Sequence, residues 1–222
     1  QGLRQLLQSN FAGFATNSAL IFPQATTKPY DGFRKGREWA LTMDDVPRLR
    51  SQVPALDVVT PLVTRWSVTA VSGDKKMSCT LKGLLPEYAK VQDPDLRYGR
   101  FINEMDVQQC RKVCVIGKRV YENLFPDGGD PCGQLVRIDS VYYRVIGVDV
   151  CSASMSINGS SDESVVAPLS FILKEYNRGN IVDMMCLTGR PGVVMTQQTE
   201  RIRSVVARAH RIDPTDETGV SI

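Results

Sequence analysis

Apolar positions recur with two periods along the chain, and the switches between them mark its elements. Val46, Leu49 and Val53 are spaced three and four apart, the period of a helix with one buried face. Thr42, Asp44 and Asp45 stand upstream as N-cap candidates, and the two carboxylates suit the positive end of a helix dipole. Pro47 is tolerated only in a first turn, so the helix is expected to start at Asp44 or Asp45, and Pro54 ends it. Residues 56–63 are rich in β-branched side chains and read as a strand that continues past Pro61 from Trp66 to Ser72. Ser72-Gly73-Asp74 is a turn signal, and 76–84 is the returning arm of a long hairpin.

The middle of the chain is β-rich. Residues 87–104 are expected to be looser, broken by Asp93-Pro94-Asp95 and Gly99. A strand at 111–116 closes at Gly117, where a positive φ is expected, and a short helix follows with Val120, Leu124 and Phe125 inward. The run 126–131 is an emphatic turn. A hairpin then joins 135–138 to 141–148 across Asp139-Ser140, with Val141, Tyr143 and Val145 alternating against Tyr142 and Arg144. The polar, serine-rich run 152–164 reads as a mobile loop.

The last third changes period again. A short strand at 165–169 leads into a helix capped by Ser170, and 181–188 is strand-like. A turn at Gly189-Arg190-Pro191-Gly192 precedes a helix beginning at Thr196, with Ile202, Val205, Val206 and Ala209 as its apolar stripe. Arg201, Arg203, Arg208 and Arg211 fall off that stripe. They outline an anion-binding face, although solvated surface arginines are the plainer account. The resulting expectation is an α+β fold: an α+β part made by both chain ends, 1–97 and 165–222, with a β-rich subdomain, 98–164, inserted between short, turn-rich boundaries.

Composition narrows the function classes. The 222 residues are 42% hydrophobic and 23% charged, which excludes wholesale disorder, collagen and coiled coil. A charge of +3 from 27 basic and 24 acidic residues, with no aromatic run alternating with basic residues, gives no nucleic-acid footprint. No secretory signal is read at Gln1-Gly2-Leu3-Arg4. Residues 5–27 carry no charge, but Gln8, Asn10, Asn17, Pro23 and Gln24 interrupt them; an amphipathic helix through Phe14 is expected rather than a membrane span. The fragment reads as soluble, and as one that can have been excised from a longer membrane protein.

The six cysteines, Cys79, Cys110, Cys114, Cys132, Cys151 and Cys186, are read as small buried hydrophobes. Cys110 and Cys114 resemble half a metal site, but if both lie in one strand they stand roughly 13 Å apart, too far to bridge. No second close Cys or His pair exists to complete a zinc site.

Catalytic signatures are missing from the sequence. The glycine cluster from Gly128 to Gly133 lacks the lysine of a phosphate loop, and neither a Gly-x-Gly-x-x-Gly nor a Gly-x-Ser-x-Gly run occurs. A Ser or Cys nucleophile would depend on His210, the single histidine, which is read as a satisfied surface residue. Asp44-Asp45 and Asp162-Glu163 are explained by capping and by solubility. No catalytic, cofactor-binding or metal residue is assigned, and the chain is expected to bind or transmit rather than catalyse. A secreted interaction or adhesion module, and a secreted hydrolase using His210, are the alternatives.

One ordered pattern is more specific. It runs from Leu84-Leu85-Pro86-Glu87-Tyr88 through Leu96-Arg97-Tyr98-Gly99-Arg100-Phe101, Asp106, Val113-Cys114-Val115-Ile116-Gly117 and Leu124-Phe125. It continues with Asp130-Pro131, Gly133 and Arg144-Val145-Ile146-Gly147-Val148. With Val59-Thr60-Pro61 upstream and Val166-Ala167-Pro168-Leu169 downstream, it resembles the extracytoplasmic core domain of MacB-type ABC transporter permeases. The likeness covers most of residues 41–222. It implies a Porter-like α+β subdomain carrying a Sabre-like β-rich insertion, in a periplasmic domain of an inner-membrane protein with one membrane helix before it and three after. It also implies a cytoplasmic ATPase, a second permease copy, a periplasmic adaptor and an outer-membrane channel as partners. The family's role is mechanotransmission for export of peptides, toxins, drugs or lipoproteins.

Overall fold

A computed structural model describes residues 17–151 and 160–222. The amphipathic helix expected through Phe14 and most of the loop expected at 152–164 lie outside the described residues. Among the described residues, Val63–Tyr176 form one compact unit, and the residues through Leu62 form another with Asn177–Ile222. Both mix helices and strands, the α+β class expected from the sequence.

The smaller unit is built on an antiparallel sheet. Strand β1 (Ser18–Pro23) pairs with β11 (Met184–Gly189) on one side and β12 (Val220–Ser221) on the other. β11 pairs in turn with β3 (Leu56–Ser72) as far as Leu62. Helix α1 (Asp45–Gln52) packs against α5 (Thr199–Ala209). Pro47 occupies the third position of α1, where no intrahelical N–H is needed. The strand expected at 181–188 is broken at Asp183: β10 (Ile181–Val182) turns aside to pair with β2 (Leu41–Thr42). The break is fixed by the Asp183 N–H donating to Leu62 O at 3.0 Å and by an Arg178–Asp183 ion pair at 2.5 Å.

Three expectations about α5 are corrected. It begins at Thr199 rather than Thr196, because Met195–Gln197 form a separate 3-10 turn. Ala209 is exposed and Ala207 is buried in its place, while Arg203 is 4% exposed rather than solvated.

The larger unit closes its sheet on itself. From Val63 onward β3 pairs antiparallel with β4 (Lys75–Leu84), and β4 lies parallel to β9 (Ser164–Pro168). β9 is antiparallel to β6 (Val113–Gly117), and β6 is parallel to β8 (Val141–Asp149). β8 forms the expected hairpin with β7 (Leu135–Ile138), and β7 returns to β3 at Ala70↔Ile138 and Val71↔Arg137. The six strands thus form a ring, which removes the open edges that invite aggregation. Its interior takes Leu81, Cys114, Val136, Ile138, Tyr143 and Val165, all buried. β5 (Leu96–Gly99), which was expected to be irregular, adds to the far end of β8.

Helices α2 (Glu104–Gln108), α3 (Lys118–Leu124) and α4 (Leu169–Glu175) complete the unit, and α4 sets Phe171 edge-on against Tyr143 with ring centroids 5.6 Å apart. Ser170 does not cap α4. It lies inside the helix and donates its hydroxyl to Val107 O at 2.5 Å, tying α4 to the end of α2. Phe125, expected inward, is only half-buried just past α3. The described residues of the block expected as an insertion, 98–164, lie in this unit, which also takes in β4, α4 and β3 from Val63 onward.

Candidate functional site

His210 is not a surface histidine. It ends α5 with its side chain 14% exposed, and its Nε2 lies 2.8 Å from Asp45 Oδ2. Asp45 is itself 1% exposed, and its carboxylate also accepts the Thr42 N–H at 2.9 Å and Arg48 Nη1 at 3.1 Å. Burial alone would push this carboxyl up. The hydrogen bonds from His210, Thr42 and Arg48 outweigh it and hold the group below the ordinary carboxylate range. A carboxylate that occupies Nε2 uses the nitrogen that a hydrolytic base turns toward its nucleophile. Among the described residues no Ser, Thr or Cys side chain hydrogen-bonds to His210; the Trp39 ring lies 4.8 Å away instead. The pair therefore clamps the start of α1 to the end of α5. Nothing in the sequence pointed to it, because its members are 165 positions apart. Asp44 makes no cap; its Oδ2 accepts from Asn180 Nδ2 at 3.3 Å.

A second network ties together the two ends of the smaller unit. β1 and β12 pair at Phe22↔Ser221 and Pro23↔Val220. Asp216, fully buried, accepts the Thr27 N–H at 2.7 Å, the Thr27 hydroxyl at 2.5 Å and the Gly219 N–H at 3.0 Å. Arg203 donates from Nε to Val220 O at 3.1 Å and from Nη1 to Glu200 at 3.0 Å, which bolts α5 to β12. Trp39 Nε1 donates to Gln24 O and Gly219 O at 2.9 and 3.0 Å.

The larger unit has its own knot, and it lies in the ordered pattern seen in the sequence. Asp106 is fully buried and receives both Nη atoms of Arg100 at 2.7 and 3.1 Å and Arg111 Nη1 at 3.1 Å. It also closes a capping box with Asn103: each side chain accepts the other's N–H, at 2.9 and 3.0 Å. The pattern's glycines mark close backbone approaches. Gly99 adopts φ +68, and a Cβ there would strike the Ile146 carbonyl oxygen. A Cβ on Gly147 would strike the Arg100 carbonyl, and one on Gly117 the carbonyls of Ser161 and Asp162. Gly117 itself has φ −74, so the positive φ expected there is absent and close approach explains the glycine. The cluster from Gly128 to Gly133 is a turn in which Asp130 Oδ1 accepts the Cys132 N–H at 2.9 Å and Tyr121 donates to Gly129 O at 2.6 Å.

All six cysteines are free thiols. Cys79, Cys114, Cys151 and Cys186 are buried, as expected, but Cys110 and Cys132 are half-buried. Cys110 has φ +47 and precedes β6, so it does not share a strand with Cys114. Burial pushes the Cys79 thiol up to about 11; burial and then Asp130 do the same for Cys132. With Ellman's reagent at neutral pH, Cys110 is expected to react first and Cys132 more slowly. The four buried thiols should follow only on denaturation; rapid release of all six thiolates from the native chain would contradict this burial. Among the described residues no three His, Cys, Asp or Glu side chains are placed to share a metal ion, and no helix is long and apolar enough to cross a membrane.

Comparison with known proteins agrees with the pattern. A family model described as the MacB-like periplasmic core domain matches residues 1–205. The chain belongs to this family. A macrolide export ATP-binding/permease protein MacB from Rhodospirillum rubrum is 24% identical over 211 residues, which is 95% of this chain and 32% of that protein. Its counterpart from Shewanella oneidensis is 30% identical over 152 residues, 65% of this chain and 22% of that protein. The chain thus spans about a third or less of these MacB proteins. The periplasmic region of MacB from Actinobacillus actinomycetemcomitans superposes with a TM-score of 0.73 at 23% identity, covering 91% of this chain and 88% of that one. The extracellular domain of the noncanonic ABC-type transporter YknZ from Gram-positive bacteria gives 0.73 at 18% identity, covering 89% and 97%. At these identities the two structures speak for the MacB-like fold, and the family model for membership.

Proposed function

We propose that this MacB-like domain is the extracytoplasmic relay of an ABC transporter permease, carrying ATP-driven movement across the membrane to drive export. The observation that carries the reading is the tying of β1 to β12, reinforced by Asp216 and Arg203. If membrane helices flank the domain, a displacement of either helix is delivered to the same small sheet, which moves as one body. On this reading the part made by both chain ends, 1–97 and 165–222, is Porter-like and the β-rich part, 98–164, is Sabre-like. The partners are a cytoplasmic ATPase, a second permease copy, a periplasmic adaptor and an outer-membrane channel. The cargo belongs to the peptide, toxin, drug or lipoprotein class.

The test uses the full-length permease with its ATPase. A photo-cross-linking residue replaces Tyr142, whose side chain is 56% exposed on β8. Cross-link yield between two permease copies is expected to differ between ATP-bound and nucleotide-free states. Equal yields in both states would refute a relay.

A further inference from the structure

Residues 28–37 hold four basic side chains, Lys28, Arg34, Lys35 and Arg37, against one acidic, Asp31. Their excess of three equals the net charge of the whole chain, +3. The stretch follows β1 in the smaller unit and folds back on itself. The Thr26 N–H donates to Arg37 O at 3.0 Å, and the Gly36 N–H to Thr26 O at 2.6 Å. At the tip, Tyr30 and Phe33 exchange both backbone hydrogen bonds, at 3.0 and 2.8 Å. Asp31 and Gly32 between them adopt φ +48 and +84, the left-handed pair of a two-residue type I′ turn. The tip is therefore a preset hairpin.

Its side chains divide by use. Lys28 Nζ donates to Thr215 O and Oγ1 at 3.2 and 2.8 Å, and Arg37 Nη2 to His210 O and Arg211 O at 2.7 and 2.9 Å. Asp31 pairs with Arg211 at 2.9 Å. These bonds fasten the hairpin to the segment between α5 and β12. Phe33 lies under two guanidiniums, Arg37 at 4.2 Å and Arg211 at 5.9 Å from the ring centroid. Arg34 and Lys35 are exposed, and their side chains make no hydrogen bond or ion pair among the described residues. Tyr30 and Phe33 are 41% and 37% exposed. The hairpin thus presents two free cations and two aromatic rings on a fixed backbone. Arginine and aromatic side chains are favoured in protein interfaces, and a preset backbone lowers the ordering cost of binding.

We propose that this hairpin docks an acidic segment of an extracytoplasmic protein partner. Charge complementarity names the chemistry, since Arg34 and Lys35 carry no carboxylate of their own chain and can take those of another. The place of the hairpin in the smaller unit names the source. It stands where β1 finishes and β12 starts, held there by the Gln24 N–H on Gly219 O and by Trp39 Nε1 on the Gln24 and Gly219 carbonyls. β1 begins, and the antiparallel β12 ends, at the other end of that sheet. The inference rests on the relay reading at this point: membrane helices that flank the domain leave from that other end, so the hairpin faces away from the bilayer and toward protein.

The test is fluorescence anisotropy of the 222-residue chain with two labelled peptides, one alternating glutamate with serine and one alternating glutamine with serine. Salt is held at about 0.1 M, where exposed charges beyond roughly 10 Å are screened. Only the glutamate peptide is expected to bind. Arg34→Gln/Lys35→Gln should weaken that binding roughly tenfold, the effect of two exposed ion pairs. Phe33→Ala keeps every charge and should weaken it about threefold, because Arg37 and Arg211 lose the ring they rest on. Lys75→Gln/Lys76→Gln removes the same charge from exposed positions on β4 in the larger unit and should leave binding within about twofold. All of these side chains are exposed, so an unchanged thermal transition verifies folding. Equal binding of the two peptides, or equal losses from the two double variants, would overturn the proposal. So would capture of the chain by phosphatidylglycerol vesicles that Arg34→Gln/Lys35→Gln abolishes, which would assign the hairpin to lipid. Failure here leaves the relay reading standing, since that is decided by nucleotide-dependent cross-linking.

Discussion

Asp106→Ala is expected to lower stability by about 3 kcal/mol, the cost of breaking a buried ion pair from one side. For a chain of this size that is a fall of roughly 6–12 °C in melting temperature. The carboxylate is fully buried and serves two arginines and the Asn103 N–H at once. Alanine leaves that N–H without its acceptor and strands Arg100 and Arg111, which are themselves 44% and 38% exposed. Because those guanidiniums can turn to water, the loss should sit at the lower end of the range for buried pairs. Asp106→Asn keeps an acceptor for the cap and should lose about half as much. The Arg119–Glu163 pair is the contrast: at 62% and 43% exposure, its removal should cost under about 1 kcal/mol. Urea denaturation of the three variants orders these effects. An Asp106→Ala midpoint within error of the parent would contradict the knot.

Acid should find the same carboxylates. At Asp106, burial alone would raise the carboxyl, but the hydrogen bonds from Arg100, Asn103 and Arg111 hold it below its ordinary value. Asp216 behaves alike: burial is outweighed by Thr27, Gly219 and Lys28. A carboxyl depressed in the folded state stabilises fully above its unfolded value, about 3.9, and that stability is lost as pH falls through the folded value. Asp45 adds to the same trend. Asp149 opposes it, because burial pushes its carboxyl up and protonation relieves it. Asp130 and Asp213, held down chiefly by backbone N–H groups at exposed turns, lean the same way, so five depressed groups against one raised group predict stability that is flat from neutral to weakly acidic pH and falls below about pH 4. Asp106→Ala should flatten that fall.

Much of this architecture was legible in the order of residues. The α1 start follows from Pro47, the β3–β4 hairpin from Gly73, and the β7–β8 hairpin from alternation around Tyr143. Each is a local rule, satisfied within a few residues. What escaped were features made by distant partners. The break in the strand at Asp183 depends on Arg178 and on Leu62. Arg203 reads as a surface cation until β12 supplies the Val220 carbonyl. His210 reads as solvated until Asp45 arrives from α1. The sheet's closure through β7 and β3 is equally invisible, since both strands look like ordinary hairpin arms. The helical spacing set Arg201, Arg203, Arg208 and Arg211 off the apolar stripe, but only the fold gives Arg203 the Val220 carbonyl and Arg211 the Asp31 carboxylate.

Gly117→Ala is expected to cost about 3 kcal/mol, at the upper end for overpacking, because the added methyl meets backbone rather than a side chain that can move. The neighbours are the carbonyl oxygens of Ser161 and Asp162, in the 3-10 turn that precedes β9. Gly117 has φ −74, a conformation open to every residue, so no part of this cost comes from backbone preference. Gly128 offers the opposite case. Its φ is +74 and nothing lies nearer to an added Cβ than the Tyr121 hydroxyl at 3.9 Å. Gly128→Ala should therefore cost only the left-handed penalty, about 1 kcal/mol. The ratio separates the two explanations better than either value alone. If Gly117→Ala proved as mild as Gly128→Ala, the turn before β9 would not be pressed against β6 as described. If it is three times as costly, the Val-x-Val-Ile-Gly run ends in glycine because another backbone lies against it.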